Sequence, residues 1–313
     1  MTPALSVRDL SVTYETQIAL DALTADFHKG EITGLIGPNG AGKTSFIKAL
    51  CGRVVPSAGD IRINGTPLPP GKARQKLIGL VPQDIGLYGH MTARENLTAF
   101  ARIMGLPKPA APPRVDAALK AVDMDHKSSV RVDALSGGMK RRINVAAAIM
   151  HGPQVLILDE PTAGVDVPAR DTIHRLARRL ANTGMAVLLI THELEQAEAL
   201  CDKILILAGG NPLAFDKPAK ILSGCYHGGR EIMLRFEQPP NSDIMDKLAP
   251  FHFAEGELPT LWTAMTELDE VNFVGALTTA LGENRDTIRE ISLRRPGLSS
   301  LMRYIEKTGA LPC

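Results

Sequence analysis

An eight-residue segment near the amino terminus, GPNGAGKT, has the composition of a phosphate-binding loop. It follows the apolar run EITGLI and precedes the helical pattern KTSFIKAL. Glycines let the backbone curl until its N–H groups converge on an anion, and the dipole of the next helix adds favourable potential. The residues that we expect to bind a nucleotide here are Gly37, Pro38, Asn39, Gly40, Ala41, Gly42, Lys43, Thr44 and Ser45.

Two side chains of this loop have distinct expected roles. Lys43 should reach the β- and γ-phosphates of the nucleotide, and the Thr44 hydroxyl should ligate Mg²⁺. A glycine-rich turn without a ligand is the alternative, but the flanking strand and helix favour a phosphate loop.

Two adjacent acids, Asp159 and Glu160, end the apolar run VLILDEP. Side chains alternate across a strand, so these carboxylates should diverge and take different roles. Asp159 suits the Mg²⁺ shell, whereas Glu160 suits orienting and deprotonating the attacking water. Ligands of a mononucleotide-binding α/β sheet gather at the carboxyl ends of its strands, which favours these roles over a pair of solvated loop acids.

Two more polar residues end apolar runs in the same way, Gln83 after GLVP and His192 after AVLLIT. A lone glutamine or histidine is usually structural, but strand ends direct both of these side chains toward the same γ-phosphate. We expect Gln83 to contact Mg²⁺ and the attacking water, and His192 to donate a hydrogen bond to the γ-phosphate.

A further anion-binding pattern is LSGGMKRR, which begins at Leu135 and ends at Arg142. A serine, two glycines and three cations open a predicted helix, which is suitable chemistry for holding an anion. The segment lies far along the chain from the phosphate loop, so the residues alone do not say whose phosphate it holds.

The fold that must position these residues is predicted to be α/β with a largely parallel sheet. From residue 1 to about 222, strand-like runs such as EITGLI, GLVPQ, VLILDE, AVLLIT and KILILA alternate with helix-like segments, and such apolar strands suit a sheet covered on both faces. From about 84 to 151 the chain instead reads as helices, with a capping box at Thr92 and Glu95. The Pro-rich GLPKPAAPPR should separate these helices until VDAALKAV resumes. We therefore predict an inserted helical subdomain.

Residues 223–313 are predicted to form a small α+β domain. EIMLRF, TLWTAMT and TIREISLRR read as strands alternating with two helical patterns. The last helical pattern places Leu298, Leu301, Met302 and Ile305 on one face. Two domains also agree with a length of 313 residues, at ~150 residues per domain.

The composition excludes several classes of protein. Apolar residues make up 44% and charged residues 22%, with 35 cationic against 34 acidic side chains, which argues against a disordered chain and against nucleic acid as the main partner. Cys51, Cys201, Cys225 and Cys313 lack CxxC spacing, so we expect reduced thiols rather than a zinc site or disulfides. No signal-peptide pattern and no apolar run of ~18 residues is present, so we expect a cytoplasmic protein.

The order of these motifs resembles that of the ATP-binding subunits of ABC transporters. Tyr14, GPNGAGKT, Gln83, LSGGMKRR, VLILDEP, AGVD and His192 follow one another over roughly residues 4 to 222. The resemblance implies a P-loop core of ABC type that hydrolyses ATP with Mg²⁺. It also implies that the chain powers a membrane permease, docks on it through the helical insert, and so lies on the inner face of the membrane.

The resemblance assigns further roles to individual residues. Tyr14 would stack on the adenine, and a strand aromatic in the core is the alternative. Ser136, Gly137 and Gly138 match the family signature, and Asp166 in AGVD matches the loop that crosses between subunits. In this family two subunits dimerise head to tail, so a second copy of the chain is an expected partner. Each signature then contacts the γ-phosphate held by the other chain's phosphate loop.

One signature residue departs from the family pattern, because Met139 stands where many members have glutamine. A thioether is a weak acceptor, but Ser136 and two backbone amides still supply the phosphate contacts. LSGGMKRR and EPTAGVD resemble most the branch that works with separate export permeases for drugs, lipids or polysaccharides. The tail ISLRRPGLSSLMRYIEKTG resembles the accessory domain of that branch, for which we expect a dimer-stabilising role without a ligand.

The segment DIGLYGHMTARENL, directly after Gln83, is the expected contact with the permease. It offers Tyr88 and Met91 as apolar anchors in a loop, which suits a groove for a short cytoplasmic helix. Packing of both side chains within the helical subdomain is the alternative.

Two other classes of protein share most of these motifs. A soluble ABC-type ATPase acting on ribosomes or DNA would carry them all, but such proteins have two cassettes or long coiled coils, and this chain has one cassette and no sustained heptads. A non-catalytic regulator would lack Glu160 or His192. We therefore expect an ATPase that powers export, with the soluble ATPase as the alternative. The resemblance implies that the contacts that select the cargo lie on the permease.

Overall fold

The computed structural model of this chain describes residues 2–256, 258–266 and 270–312. The chain divides into two compact units, Met1–Pro218 and Ala219–Cys313. Among the described residues no cysteine forms a disulfide, and Cys313 lies outside them.

The first unit contains the strands β1 (Leu5–Tyr14), β2 (Gln17–Phe27), β3 (Ile32–Ile36), β4 (Ala58–Ile63), β5 (Thr66–Pro67), β6 (Ile78–Val81), β7 (Val155–Asp159), β8 (Ala186–Ile190), β9 (Lys203–Ala208) and β10 (Asn211–Asp216). Its helices are α1 (Lys43–Leu50), α2 (Gly71–Gln75), α3 (Ala93–Ile103), α4 (Ala111–Ala121), α5 (Gly137–Ile149), α6 (Val167–Asn182) and α7 (Leu194–Leu200).

The predicted parallel sheet has six strands in the order β10-β9-β3-β8-β7-β6. Every pairing is parallel except that of β10 with β9. All residues of β3 and β8 are buried, as expected of apolar strands covered on both faces. Because these strands are parallel, their carboxyl ends lie along one edge, where Gly37, Gln83, Asp159 and His192 are found.

A separate antiparallel sheet, which the sequence did not predict, has the order β2-β1-β4-β5. Phe27 of β2 stacks on Phe46 of α1, with ring centroids 6.0 Å apart. Both rings belong to one buried cluster with residues of the parallel sheet, such as Leu205. The helix that follows the phosphate loop is thus held by a core that both sheets share.

Between β6 and β7 the chain is helical, with α3, α4 and α5 packed together. The predicted capping box is confirmed: Thr92 Oγ1 accepts from Glu95 N at 3.1 Å, and Glu95 Oε2 accepts from Thr92 N at 2.8 Å. The prediction that helix resumes only at Val115 is wrong, because α4 begins at Ala111 and takes two prolines into its first turn. Proline is tolerated there, since those N–H groups have no intrahelical partner.

The second unit begins within α8 (Pro218–Tyr226), and the predicted boundary at residue 222 falls inside this helix. The remaining elements of this unit are β11 (Arg230–Phe236), α9 (Ser242–Leu248), β12 (Ala254–Glu255), β13 (Leu261–Thr266), α10 (Glu270–Leu281), β14 (Ile288–Arg294) and α11 (Leu298–Thr308).

The second unit has the βαββαβ order of a split βαβ fold. Its antiparallel sheet has the order β12-β13-β11-β14. Ile232 and Leu234 of β11 form a buried core with Ile244 of α9 and Leu277 of α10. The predicted helical face is confirmed in α11, where the four residues predicted to form it are buried: Leu298, Leu301, Met302 and Ile305.

Candidate nucleotide-binding site

The predicted phosphate loop joins β3 to α1 and depends on glycine at two positions. Gly37 and Gly42 have φ values of 154° and 99°. A Cβ at Gly37 would lie 2.1 Å from Leu207 O, and one at Gly42 would lie 2.4 Å from Ala19 O. Gly42 also begins α1 without a side-chain cap, so the first N–H groups of the helix are available to an anion.

Lys43 folds back over this loop. Its ammonium donates to Gly37 O at 2.6 Å and to Pro38 O at 2.9 Å. Burial lowers the pKa of Lys43, and the nearby charges of Glu160 and Asp159 oppose that effect. The charges that act on this amine include two carboxylates at the end of β7, and a phosphate chain in the loop would offer it a stronger anionic acceptor than two carbonyls.

Asp159 and Glu160 both line the cavity described below, so the predicted division of roles between them stays a prediction. β7 ends at Asp159, and Glu160 has a left-handed backbone with φ of 47°, so the strand alternation on which the prediction rested stops at Asp159. Such a conformation is uncommon outside glycine and marks a position that the surrounding structure enforces. The Glu160 N–H donates to Ile190 O at 3.0 Å, which fixes this turn against β8.

Both carboxylates have a raised pKa because they are partly buried. The charges of Lys43 and His192 oppose this rise in the pKa of Asp159. The charge of His192 and a hydrogen bond with its backbone oppose the rise in the pKa of Glu160. Glu160 has a side chain that is 13% exposed, and its buried Oε1 makes no hydrogen bond within the described residues. His192 Nε2 lies 3.3 Å from that oxygen. Glu160 is thus a desolvated carboxylate with unused acceptor capacity, as a general base requires.

One cavity of about 420 Å³ brings most of the predicted residues together. It is bordered by the end of β8 and by the start of β2, where Gln17, Ile18 and Ala19 lie. The predicted residues that line it are Asn39, Gly40, Ala41, Gly42, Lys43, Thr44, Ser45, Gln83, Asp159, Glu160 and His192.

Tyr14 does not line this cavity. It ends β1, pairs with Gln17 across the hairpin, and is 39% exposed. The alternative that Tyr14 is a core aromatic is therefore wrong. An exposed ring beside the cavity leaves adenine stacking as a prediction.

The signature residues also lie outside the cavity. Ser136 is the N-cap of α5 and accepts from Met139 N at 3.3 Å, and Ser136 and Gly137 are exposed. Asp166 caps α6 in the same way, accepting from Ala169 N at 2.8 Å. A Cβ at Gly138 would lie 2.6 Å from Ala169 Cβ, so the starts of α5 and α6 are packed side by side. The two helix starts form one exposed surface, and neither start lines the cavity at the phosphate loop of the same chain.

The expectation that three cations of LSGGMKRR hold an anion is corrected for two of them. Arg141 is 3% exposed and donates to Pro82 O at 3.0 Å and Gln83 O at 2.8 Å. Arg142 donates to Val122 O and Asp123 O. Arg141 therefore ties the signature helix to the Gln83 segment, a role that nothing in its spacing predicted.

Comparison with known proteins adds an independent observation. Residues 20–163 match the family model described as "ABC transporter". The chain is 39% identical over 228 residues to the Nod factor export ATP-binding protein I of Ralstonia nicotianae, covering 72% of this chain and 71% of that protein. It is 38% identical over 221 residues to the linearmycin resistance ATP-binding protein LnrL of Bacillus subtilis, covering 70% and 71%.

Two further comparisons extend the likeness. Nod factor export ATP-binding protein I of Rhizobium sp. strain N33 is 33% identical over 298 residues, covering 94% of this chain and 97% of that one. A solved "Structure of ATP binding subunit of ABC transporter" matches with a TM-score of 0.62 at 32% identity, over 71% of this chain and 92% of the other. Among the described residues, every helix is too short or too polar to span a membrane.

Proposed function

This chain belongs to the ABC transporter family as an ATP-binding subunit, and on that premise we propose that it hydrolyses ATP to power export through a separate membrane permease. The observation that carries the proposal is the single cavity in which Lys43, Asp159, Glu160 and His192 meet the phosphate loop. Export is inferred from the relatives, whose names describe Nod factor export and linearmycin resistance.

In this proposal the backbone N–H groups of the loop and the Lys43 ammonium bind the phosphates of ATP. Thr44, Gln83 and Asp159 line one cavity and offer hydroxyl, amide and carboxylate oxygens, which are donors that suit Mg²⁺. The metal would neutralise charge on the phosphates. Tyr14, exposed beside the cavity, would stack on the adenine.

Glu160 orients the attacking water and accepts its proton, since its raised pKa and unused oxygen suit a general base. His192 donates a hydrogen bond to the γ-phosphate from the end of β8. The contact between these two side chains keeps the base and the hydrogen-bond donor within one site.

A second copy of the chain completes the site. The exposed helix start at Ser136, Gly137 and Gly138 would contact the γ-phosphate held by the partner's loop, and Asp166 would cross at the same interface. The side-by-side packing of Gly138 with Ala169 supports this arrangement, because it lets α5 and α6 reach the partner as one surface.

The permease would dock beside the Gln83 segment and hold the chain on the inner face of the membrane. Tyr88 is 48% exposed, and its ring stacks on Phe100 with centroids 6.2 Å apart. A cavity of about 400 Å³ next to it is lined in part by Gly86, Phe100 and Met104. The backbone of this loop is anchored by the fully buried Asn96, which accepts from Tyr88 N at 2.8 Å and donates to Tyr88 O at 3.0 Å.

Phosphate release by the purified chain, alone and reconstituted with candidate permeases in vesicles, tests this function. We expect Mg²⁺-dependent hydrolysis that Lys43→Ala abolishes, and a change in rate when the permease is present. Hydrolysis that responds to ribosomes or DNA and never to a membrane protein would instead support the soluble ATPase.

A further inference from the structure

We infer that Glu193, the residue after His192, is a positioning residue that joins the three segments carrying Glu160, Asp166 and His192. The inference rests on the proposed function, because it concerns how that site is held and coupled to the partner chain. No motif of the sequence pointed to Glu193.

The Glu193 carboxylate has one contact on each neighbouring segment. Its Oε2 accepts from Thr162 Oγ1 at 2.9 Å, and its Oε1 lies 3.0 Å from an Arg170 guanidinium nitrogen. Its own N–H donates to Thr191 Oγ1 at 3.0 Å. Thr162 and Thr191 are 2% and 5% exposed, so the two hydrogen bonds that involve their hydroxyls are largely shielded from competing water.

Gln196, in the first turn of α7, extends the cluster. When the Gln196 amide oxygen faces Arg170, it accepts a hydrogen bond from the Arg170 guanidinium at 2.7 Å. The amide nitrogen then donates to His174 Nδ1 at 3.0 Å and to Glu193 Oε2 at 3.3 Å. Burial lowers the pKa of His174, with Glu193 and Asp171 opposing the shift, and this direction favours the neutral ring, whose Nδ1 can accept.

The sequence positions of these contacts give the cluster its meaning. Thr162 lies in the turn directly after Glu160. Arg170 lies in the first turn of α6, where its N–H donates to Asp166 O at 2.9 Å. Glu193 directly follows His192. One carboxylate therefore connects the base, the start of the helix capped by Asp166, and the γ-phosphate donor, so that movement of one segment is passed to the others.

Hydrogen exchange of the nucleotide-free chain tests the connection without using activity. Glu193→Gln keeps the side-chain shape but removes the charge that holds Arg170. We expect amide exchange to quicken by about threefold or more in residues 161–170 as well as in 191–196. The matched control is Glu31→Gln, which breaks the ion pair of Glu31 with Lys203 at the opposite end of the strands. The side chains of Glu31 and Lys203 are 31% and 23% exposed, close to the 26% and 27% of Glu193 and Arg170.

Kinetics test the consequence for catalysis. In Glu193→Gln we expect kcat to fall about tenfold or more with the KM for ATP changed by less than about twofold, because the phosphate loop is untouched. Arg170→Met should have a similar effect, and the double variant should be no worse than either single one. Glu31→Gln should keep wild-type kcat.

Two outcomes overturn the inference. One is faster exchange confined to residues 191–196. The other is a Glu193→Gln variant that loses as much thermal stability as Glu31→Gln does and keeps full kcat, which would mean that Glu193 only stabilises the fold. If the wild-type chain hydrolyses no ATP, the proposed function fails, and the exchange experiment alone still decides whether Glu193 joins the three segments.

Discussion

His192 Nε2 lies 3.3 Å from Glu160 Oε1, although the two residues follow different strands. The contact arises because β7 and β8 are parallel neighbours, with Asp159 paired to Ile190. Glu160 is therefore a largely buried carboxylate with an imidazole beside it, and Lys43 lines the same cavity.

The first prediction concerns Glu160→Gln. An amide cannot accept a proton from water, so turnover should fall by ~10²-fold or more, while MgATP binding persists. The variant should accumulate as an ATP-bound dimer, because the closed state cannot be discharged. Phosphate release and size-exclusion chromatography with MgATP measure the two effects. Near wild-type hydrolysis would rule out Glu160 as the base.

The second prediction concerns pH and His151. Burial lowers the pKa of His151, and the backbone of Ile78 offsets this only in part; neither buried ring nitrogen makes a hydrogen bond of good geometry to a described residue. The folded chain thus binds fewer protons here than the unfolded chain below the ordinary histidine pKa of about 6.5. The contribution of His151 to the free energy of unfolding is therefore fully present above that pH, and it is lost as the pH falls toward the lowered pKa.

Urea unfolding followed by circular dichroism at pH 7.5 and 5.5 checks this effect. His151→Gln should lose less stability between these conditions than the wild type does, by at most about 1.4 kcal/mol per pH unit. The exposed His126→Gln is the control and should behave like the wild type. Equal losses in all three proteins would contradict the assignment.

The third prediction concerns the second unit, where Glu231 is 3% exposed. It accepts from Arg294 Nε at 2.7 Å and Ser300 Oγ at 2.6 Å, and it pairs with Arg303. Glu231→Gln leaves two guanidinium groups without a counter-charge, so the free energy of unfolding should fall by about 3 kcal/mol.

Trp262 is the one tryptophan of the chain, is partly buried and packs against the core of this unit, so its fluorescence reports the unfolding directly. Glu290→Gln is the control, since Glu290 is 57% exposed and 3.9 Å from Arg235; its effect should be below about 1 kcal/mol. Equal effects of the two substitutions would show that the buried network adds nothing.

The fourth prediction concerns the permease contact. Replacing Tyr88 and Met91 with Asp should uncouple transport while the soluble chain keeps its basal ATPase activity, because neither side chain lines the nucleotide cavity. Transport into vesicles and phosphate release measure the two activities. Loss of folding, detected by circular dichroism, would instead favour packing of both residues within the helical subdomain.

The phosphate loop and the parallel strands could be predicted because their signals are local. GPNGAGKT carries its own backbone requirement, and buried strands such as AVLLI are continuously apolar. The strands β1 and β2 gave no such signal: their pairing shifts register between Val7 and Leu10 and again before Val12, which breaks the alternation that identifies a half-buried strand.

The burial of Arg141 and the cluster around Glu193 escaped prediction, and the reason differs from that for β1 and β2. Both depend on which distant segments the sheet order brings together, since Arg141 binds carbonyls of Pro82 and Gln83, and Glu193 binds Thr162. Neither residue type nor spacing encodes such contacts. A charged residue on a helix is normally solvated.

The central claim is that the signature at Ser136 serves the phosphate loop of a second chain, and two inactive variants test it. Lys43→Ala removes the charge that holds the β- and γ-phosphates. Ser136→Arg places a bulky side chain where the signature must close on a γ-phosphate. Each homodimer then has two broken sites.

A mixed dimer of these variants separates the possibilities. If the signature acts in trans, both lesions fall in one composite site and the other site is wild type. If it acts within its own chain, both sites stay broken. Two affinity tags verify that mixed dimers form, and the Glu160→Gln background prevents hydrolysis from emptying a filled site.

The decisive measurement is the amount of MgATP trapped per doubly tagged mixed dimer. We predict one nucleotide per dimer, against none in either homodimer. Mixed dimers that form and trap no nucleotide would contradict the claim that Ser136 completes the site of the partner chain.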